Sequence, residues 1–215
     1  MTEKKSKLHV KIPTPIVRND GIFVSNKDFV LYARLCFQYF RNYHEKEIVI
    51  DHKKLMRNCK IADTRTFKKM LKRLYDNKLI LNEIEKLPTK GTLTIVFNPE
   101  IYKDDHFTML SSEILTYFNN DQIDEYAFRL IFYYKSHINK KDKRSVDYCF
   151  VGYDTLIERL RVSKTSITEG NKQLDAAKLV KIEAHKLKHN YEYDENDELV
   201  FDRFNNHYFV ANSLF

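Results

Sequence analysis

The sequence predicts an α+β protein in which one small plan is used twice, over residues 1–106 and 107–215. Three observations predict it. Apolar residues recur at intervals of three and four in successive segments of each half, as one face of a helix requires. Short β-branched or aromatic runs stand between and after those segments. The third helical segments superpose at an offset of one hundred positions, where Phe67 meets Ile167, Leu74 meets Leu174, Lys78 meets Lys178 and Leu79 meets Leu179.

In the first half a basic tail leads into an extended Pro13-Thr14-Pro15 segment. Ser25 or Asn26 caps a helix carrying Phe29, Val30, Ala33, Phe37 and Phe40, which runs to about Asn42. Ile48-Val49-Ile50 is a short strand. Asp51 caps a second helix with Leu55 and Met56, Lys60-Ile61-Ala62 turns the chain, and Asp63 caps the third helix. Phe67, Met70, Leu71, Leu74 and Tyr75 fall on one face of that helix. Leu79 to Leu87 and Thr92 to Asn98 then read as strands joined by a Pro88-Thr89-Lys90-Gly91 hairpin turn.

The second half begins near Phe107. Asp124 starts a helix with Ala127, Leu130, Ile131 and Tyr134, and Tyr148 to Val151 is the short strand. Asp154 caps a helix with Leu156, Ile157 and Leu160. Arg161-Val162 is the turn, Ser163 caps a helix with Ile167, Leu174 and Ala177, and Leu179 to Ile182 and Leu199 to Val210 are strands around a long polar hairpin. Both halves therefore read helix, strand, helix, helix, strand, strand.

This order resembles the winged helix-turn-helix, with a tight turn before the last helix and a hairpin after it. The residues that carry the resemblance are Leu55-Met56 through Ile61-Ala62-Asp63-Thr64 to Leu79-Ile80, and Leu156-Ile157 through Val162-Ser163-Lys164-Thr165 to Leu179-Val180. The resemblance implies two tandem winged helix-turn-helix domains, with the third helix in the major groove and the wing along the backbone. Two such domains in one short chain look like plasmid and phage replication initiators. The segment Phe107 to Lys186 is similar in layout to N-terminal domains of replication proteins from Gram-positive plasmids and phages.

Charge agrees with a polyanionic partner. Residues 1–100 hold 21 Lys+Arg and 11 Asp+Glu, a net of +10, whereas residues 101–215 hold 16 and 19, a net of −3. The basic residues are interleaved with apolar ones rather than massed as in a polybasic lipid anchor, so double-stranded DNA is the expected partner and a membrane is not. No apolar run approaches the ~18–20 residues of a membrane helix, and the N-terminal residues lack the apolar core of a secretory signal. Cys36, Cys59 and Cys149 are odd in number and widely spaced, which argues for a reducing, cytoplasmic setting and against a disulfide framework.

With Phe67, Met70, Leu71 and Leu74 turned inward, Thr64, Arg65, Lys68, Lys69 and Lys72 lie on or near the opposite side of the third helix. Arg65 and Lys68 occupy its first turns, where a recognition helix meets base edges, and an Arg fork can donate two hydrogen bonds to a guanine. Lys86 and Lys90 flank the wing turn, and Lys53, Lys54 and Arg57 of the second helix are candidates for phosphate contact. In the second half the corresponding set is Lys164, Thr165, Ser166, Thr168, Asn171 and Lys172, and the basic run Lys140 to Arg144 is a further phosphate candidate. Its wing carries Asp194-Glu195-Asn196-Asp197-Glu198, which a phosphate backbone repels. This half therefore binds by its helix alone, or docks a second copy or another protein.

Catalytic and metal patterns are sparse. Only 4 Gly are present, and neither Gly-rich phosphate fingerprint occurs. His185 and His189 fall in or beside a strand and lack Cys or Glu companions, so no zinc site is expected. Asp104-Asp105 is a turn-like pair without a companion motif. No nucleophile–base pair can be read, so a binding protein without cofactor or metal is expected rather than an enzyme. Three functions are open at this point: a replication initiator of a plasmid, phage or other mobile element working with host replication proteins; a transcriptional regulator of such an element, as a homodimer on an inverted repeat; and an adaptor such as a helicase loader or segregation factor.

Overall fold

The computed structural model describes residues 8–103, 106–138, 146–193 and 199–215. The described residues open on strand β1 (His9–Pro13) and a one-turn helix α1 (Thr14–Arg18). Pro15 sits in the first turn of α1, where its missing N–H costs nothing, so the expected extended Pro13-Thr14-Pro15 segment is extended only as far as Pro13.

Helix α2 (Asn26–Arg41) starts at Ser25, whose side chain accepts from the Asp28 N–H. Strand β2 (Glu47–Ile50) leads into α3 (His52–Asn58), capped by Asp51, which accepts from the Lys53 and Lys54 N–H groups. Asp63 accepts from the Thr66 N–H to start α4 (Thr64–Asp76). These starts are legible because a short acidic or hydroxyl side chain satisfies helix donors that have no partner within the helix.

Strand β3 (Leu93–Val96) runs antiparallel to β2, with Ile48 opposite Ile95. The expected strand from Leu79 to Leu87 does not form. Its pairing stops at an isolated bridge between Ile80 and Phe97, made by bonds from the Leu81 N–H to the Val96 carbonyl and from the Asn98 N–H to the Leu79 carbonyl. Asn82 then takes the next strand position with its side chain: its amide donates to the Thr94 carbonyl at 3.0 Å and accepts from the Val96 N–H at 2.7 Å. A side chain that mimics backbone in this way ends the ladder.

A 3₁₀ turn, Pro99–Tyr102, leads to β4 (Phe107–Ser111) and α5 (Glu113–Asn119), a helix absent from the sequence reading. Helix α6 (Glu125–Ser136) starts on Asp124 as expected. After the short β5 (Cys149–Phe150), helix α7 (Tyr153–Leu160) begins at Gly152 rather than at Asp154, which lies in its first turn. Helix α8 (Lys164–Ala176) starts on Ser163, and β6 (Val180–Tyr193) and β7 (Leu199–Val210) form the long hairpin in a sheet of order β5-β7-β6. A final 3₁₀ turn, Asn212–Leu214, follows.

The hundred-residue offset holds in detail. Helices α4 and α8 have 13 residues each and end alike. Lys78 and Lys178 adopt left-handed φ of 56° and 55°. The next N–H, of Leu79 or Leu179, reaches back to the carbonyl of Leu74 or Leu174 at 2.8 and 2.9 Å. That C-terminal position favours glycine, because a Cβ crowds the following carbonyl there. Lys78→Gly and Lys178→Gly are each expected to raise stability by about 0.5–1 kcal/mol, and an unchanged or lowered denaturation midpoint would contradict the cap assignment.

The halves share one buried core. The Phe29 ring of α2 packs edge-on to Phe128 and Phe132 of α6, with centroids 6.1 and 5.5 Å apart. Across the 106/107 boundary β1 pairs antiparallel with β4, Val10 opposite Leu110. Arg129, fully buried in α6, donates to the Ile16 carbonyl and to Asn19, both at 2.7 Å. Arg18 binds the Ser136 hydroxyl, and Asp20 pairs with Arg159. The N-terminal residues thus strap the second half. No helix among the described residues is long and apolar enough to cross a membrane.

Candidate nucleic-acid interface

Helix α4 separates its two faces cleanly. Phe67, Met70, Leu71 and Leu74 are buried, while Thr64, Arg65, Lys68, Lys69 and Lys72 are all exposed. The helix also carries Arg73, against a single acid, Asp76. At its start the Asp63 carboxyl is held below its ordinary range, first by the Thr66 side-chain and backbone donors and then by Arg65 beside it. Lys68 and Lys69 make no ion pair with a described residue. Lys72 does: it bridges Asp76 at 3.3 Å and Glu83 at 3.2 Å. It is therefore a weaker candidate for an incoming phosphate than its neighbours.

On α3, Lys53, Lys54 and Arg57 are exposed on the helix that precedes the turn. Lys86 and Lys90 are exposed too, but they lie on the irregular connection between Ile80 and Leu93 instead of on two paired strands. Any contact from them is thus made by a loop.

Helix α8 presents a different surface. Lys164 and Thr165 are exposed, and Thr168 is half-buried with its hydroxyl on the Lys164 carbonyl. The half-buried Ser166 hydroxyl lies 2.9 Å from that of the capping Ser163. Lys172 is paired with Glu169 at 2.8 Å.

Asn171 corrects the sequence reading. It is 4% exposed and accepts the Tyr134 hydroxyl hydrogen bond at 2.7 Å, so it faces α6 and cannot meet DNA. The hundred-residue offset carried the signal, since Asn171 stands where Leu71 stands in α4. Gly170, before it, packs so closely that an added Cβ would lie 2.9 Å from Leu130 Cδ1. The acidic wing residues Asp194, Glu195, Asp197 and Glu198, the run Lys140 to Arg144 and the pair Asp104-Asp105 lie outside the described residues.

Residue 73 holds a feature the sequence reading missed. The Arg73 guanidinium donates twice to the Asp28 carboxylate, at 2.7 Å each, and Asp28 also accepts from the Ser25 hydroxyl. Asp28 is buried and Arg73 half-exposed. One hundred residues on, Gln173 accepts from the Asp124 N–H at 2.7 Å and donates to its carboxylate at 3.0 Å. In both halves the outward helix is pinned from the same position, to an acid at the start of α2 in the first and of α6 in the second.

Other chemistry is scarce on this surface. Cys36, Cys59 and Cys149 are free and buried, and burial pushes each thiol up to about 12, which removes thiolate nucleophiles at neutral pH. Among the described residues no three His, Cys, Asp or Glu side chains gather as a metal site. No protein-family model matches the chain, and no curated protein matches it.

Proposed function

We propose that this chain is a sequence-specific double-stranded DNA-binding protein built of two tandem winged helix-turn-helix domains, and that it acts as a replication initiator of a plasmid, phage or other mobile element. The observation that carries the DNA reading is the outward face of α4. Arg65, Lys68 and Lys69 are exposed together on a helix that follows a tight turn, and the helix is held at a fixed attitude by Arg73. Charge, placement and preorganisation agree there. The repeated element order and matching helix ends support the tandem reading, and the initiator role follows the resemblance.

In this reading Arg65 reads a base pair, Lys53, Lys54, Lys68 and Lys69 hold phosphates, and Lys86 and Lys90 add contacts from the loop. The balanced outer face of α8, with Lys172 spent on Glu169, favours a second copy of the chain or a host replication protein as the partner of the second half.

Footprinting and duplex titration test the proposal. Arg65→Ala is expected to lose about 1–3 kcal/mol on the specific site and to relax preference at one base pair. Lys90→Ala is expected to weaken specific and random duplexes alike and to reduce the log–log salt slope by about 0.9. Wild-type specificity in the Arg65 variant would remove α4 from recognition. Directly repeated protected sites support the initiator; an inverted repeat upstream of the chain's own gene points to the regulator, and absence of duplex binding to the adaptor.

A further inference from the structure

A cleft of about 310 Å³ opens between α2, α3 and α5. Arg34 and Arg41 of α2 and Lys54 of α3 line it, with Asn58 of α3 and Thr116 and Asn119 of α5, and no carboxylate is among its lining side chains. Three cations therefore converge where helices from the two halves meet.

Arg34 is the unusual member. It is 6% exposed, yet no acid among the described residues pairs with it. Its Nη2 donates to Asn119 Oδ1 at 2.6 Å, and its Nε is buried without a hydrogen-bond partner. A buried guanidinium is ordinarily matched by an anion or enclosed by acceptors. The other buried arginine of the core, Arg129, likewise leaves its Nε and Nη1 without hydrogen-bond partners, but its Nη2 has two oxygen acceptors and its guanidinium lies 3.9 Å from the centre of the Phe29 ring. Arg73 has its carboxylate. Arg34 has one amide oxygen, the Cys59 side chain, the Phe118 ring with its centre 5.7 Å away, and a cleft.

We propose that this cleft is a phosphate-binding site, in which Arg34, Arg41 and Lys54 hold the oxygens of a phosphate ester and Thr116 and Asn58 add neutral hydrogen bonds. A guanidinium fork matches phosphoryl oxygens two at a time, and three positive charges suit a dianion better than a single carboxylate. The volume lies within the range of small-ligand sites, large enough for a mononucleotide. An occupant here ties α3 of the first half to α5 of the second. The same chemistry is offered by a free phosphomonoester and by a DNA backbone phosphate. The inference does not rest on the duplex-binding reading.

The test is calorimetric titration of the full chain with inorganic phosphate and with a deoxynucleoside 5′-monophosphate at constant ionic strength, alongside thermal melts. Saturable binding and a raised melting temperature are expected. Arg34→Lys should weaken either probe at least tenfold. Arg41→Gln, at an exposed position, should weaken it severalfold while melting like the parent in the absence of probe, so the test stands even where the Arg34 variant does not fold. Adding a duplex assigns the source: displacement of the probe means a backbone phosphate, and simultaneous binding means a free ester. An effect that chloride reproduces at equal ionic strength, or affinities unchanged in both variants, would overturn the site.

Discussion

Leu74→Ala is expected to destabilise the chain by about 2–5 kcal/mol, and Leu174→Ala by a similar amount. Both side chains are fully buried, one hundred positions apart, each in the last turn of its helix. Truncation removes buried methyl groups and leaves a cavity that close-packed neighbours fill only in part. Because the halves share one core, either variant should lower a single denaturation midpoint instead of splitting the transition in two. Urea titration followed by circular dichroism checks both statements. A variant that melts like the parent would mean that the helical register of its half is misassigned.

Arg73→Ala should cost about 3 kcal/mol, although the arginine itself is half-exposed. The loss arises mainly at Asp28, whose buried side chain then keeps only the Ser25 hydroxyl as a donor. Stranding a buried charge is worse than removing a pair outright, so Asp28→Ala combined with Arg73→Ala should be less destabilised than the sum of the single changes. Strict additivity in that double-mutant cycle would mean that the two groups do not interact. Gln173→Ala supplies a counterpart in which the acid, Asp124, faces an amide instead of a cation, with a smaller loss of about 1–1.5 kcal/mol.

The legible part of this fold is the part that is local. Ser25, Asp51, Asp63, Asp124 and Ser163 announce their helices because each cap acts within three residues of itself. The stripe of Phe67, Met70, Leu71 and Leu74 fixes which face of α4 is wet, and the exposed basic residues follow from it. What is not legible depends on distance. Asp28 and Arg73 are 45 residues apart, and no pattern in either helix announces their contact. The cleft around Arg34 needs α5, a short helix with too few turns to show a period. Leu79 to Leu87 has strand composition, but Asn82 competes for the same backbone groups, and composition does not reveal which of the two prevails. Asn171 was readable only by trusting the repeat over the polarity of the residue.

The pairing of β1 with β4 has a consequence for the order of events during synthesis. His9 has Ser111 as its register partner, so β1 is completed by a strand made about a hundred residues later. At about 5–20 residues per second, the N-terminal segment waits roughly 5–20 s for that partner. Through that interval Val10 and Ile12, which end wholly buried, have no strand to cover them. A fragment ending before Phe107 keeps them in that condition permanently. Such a fragment should associate with itself or with chaperones, however well α2, α3 and α4 form within it.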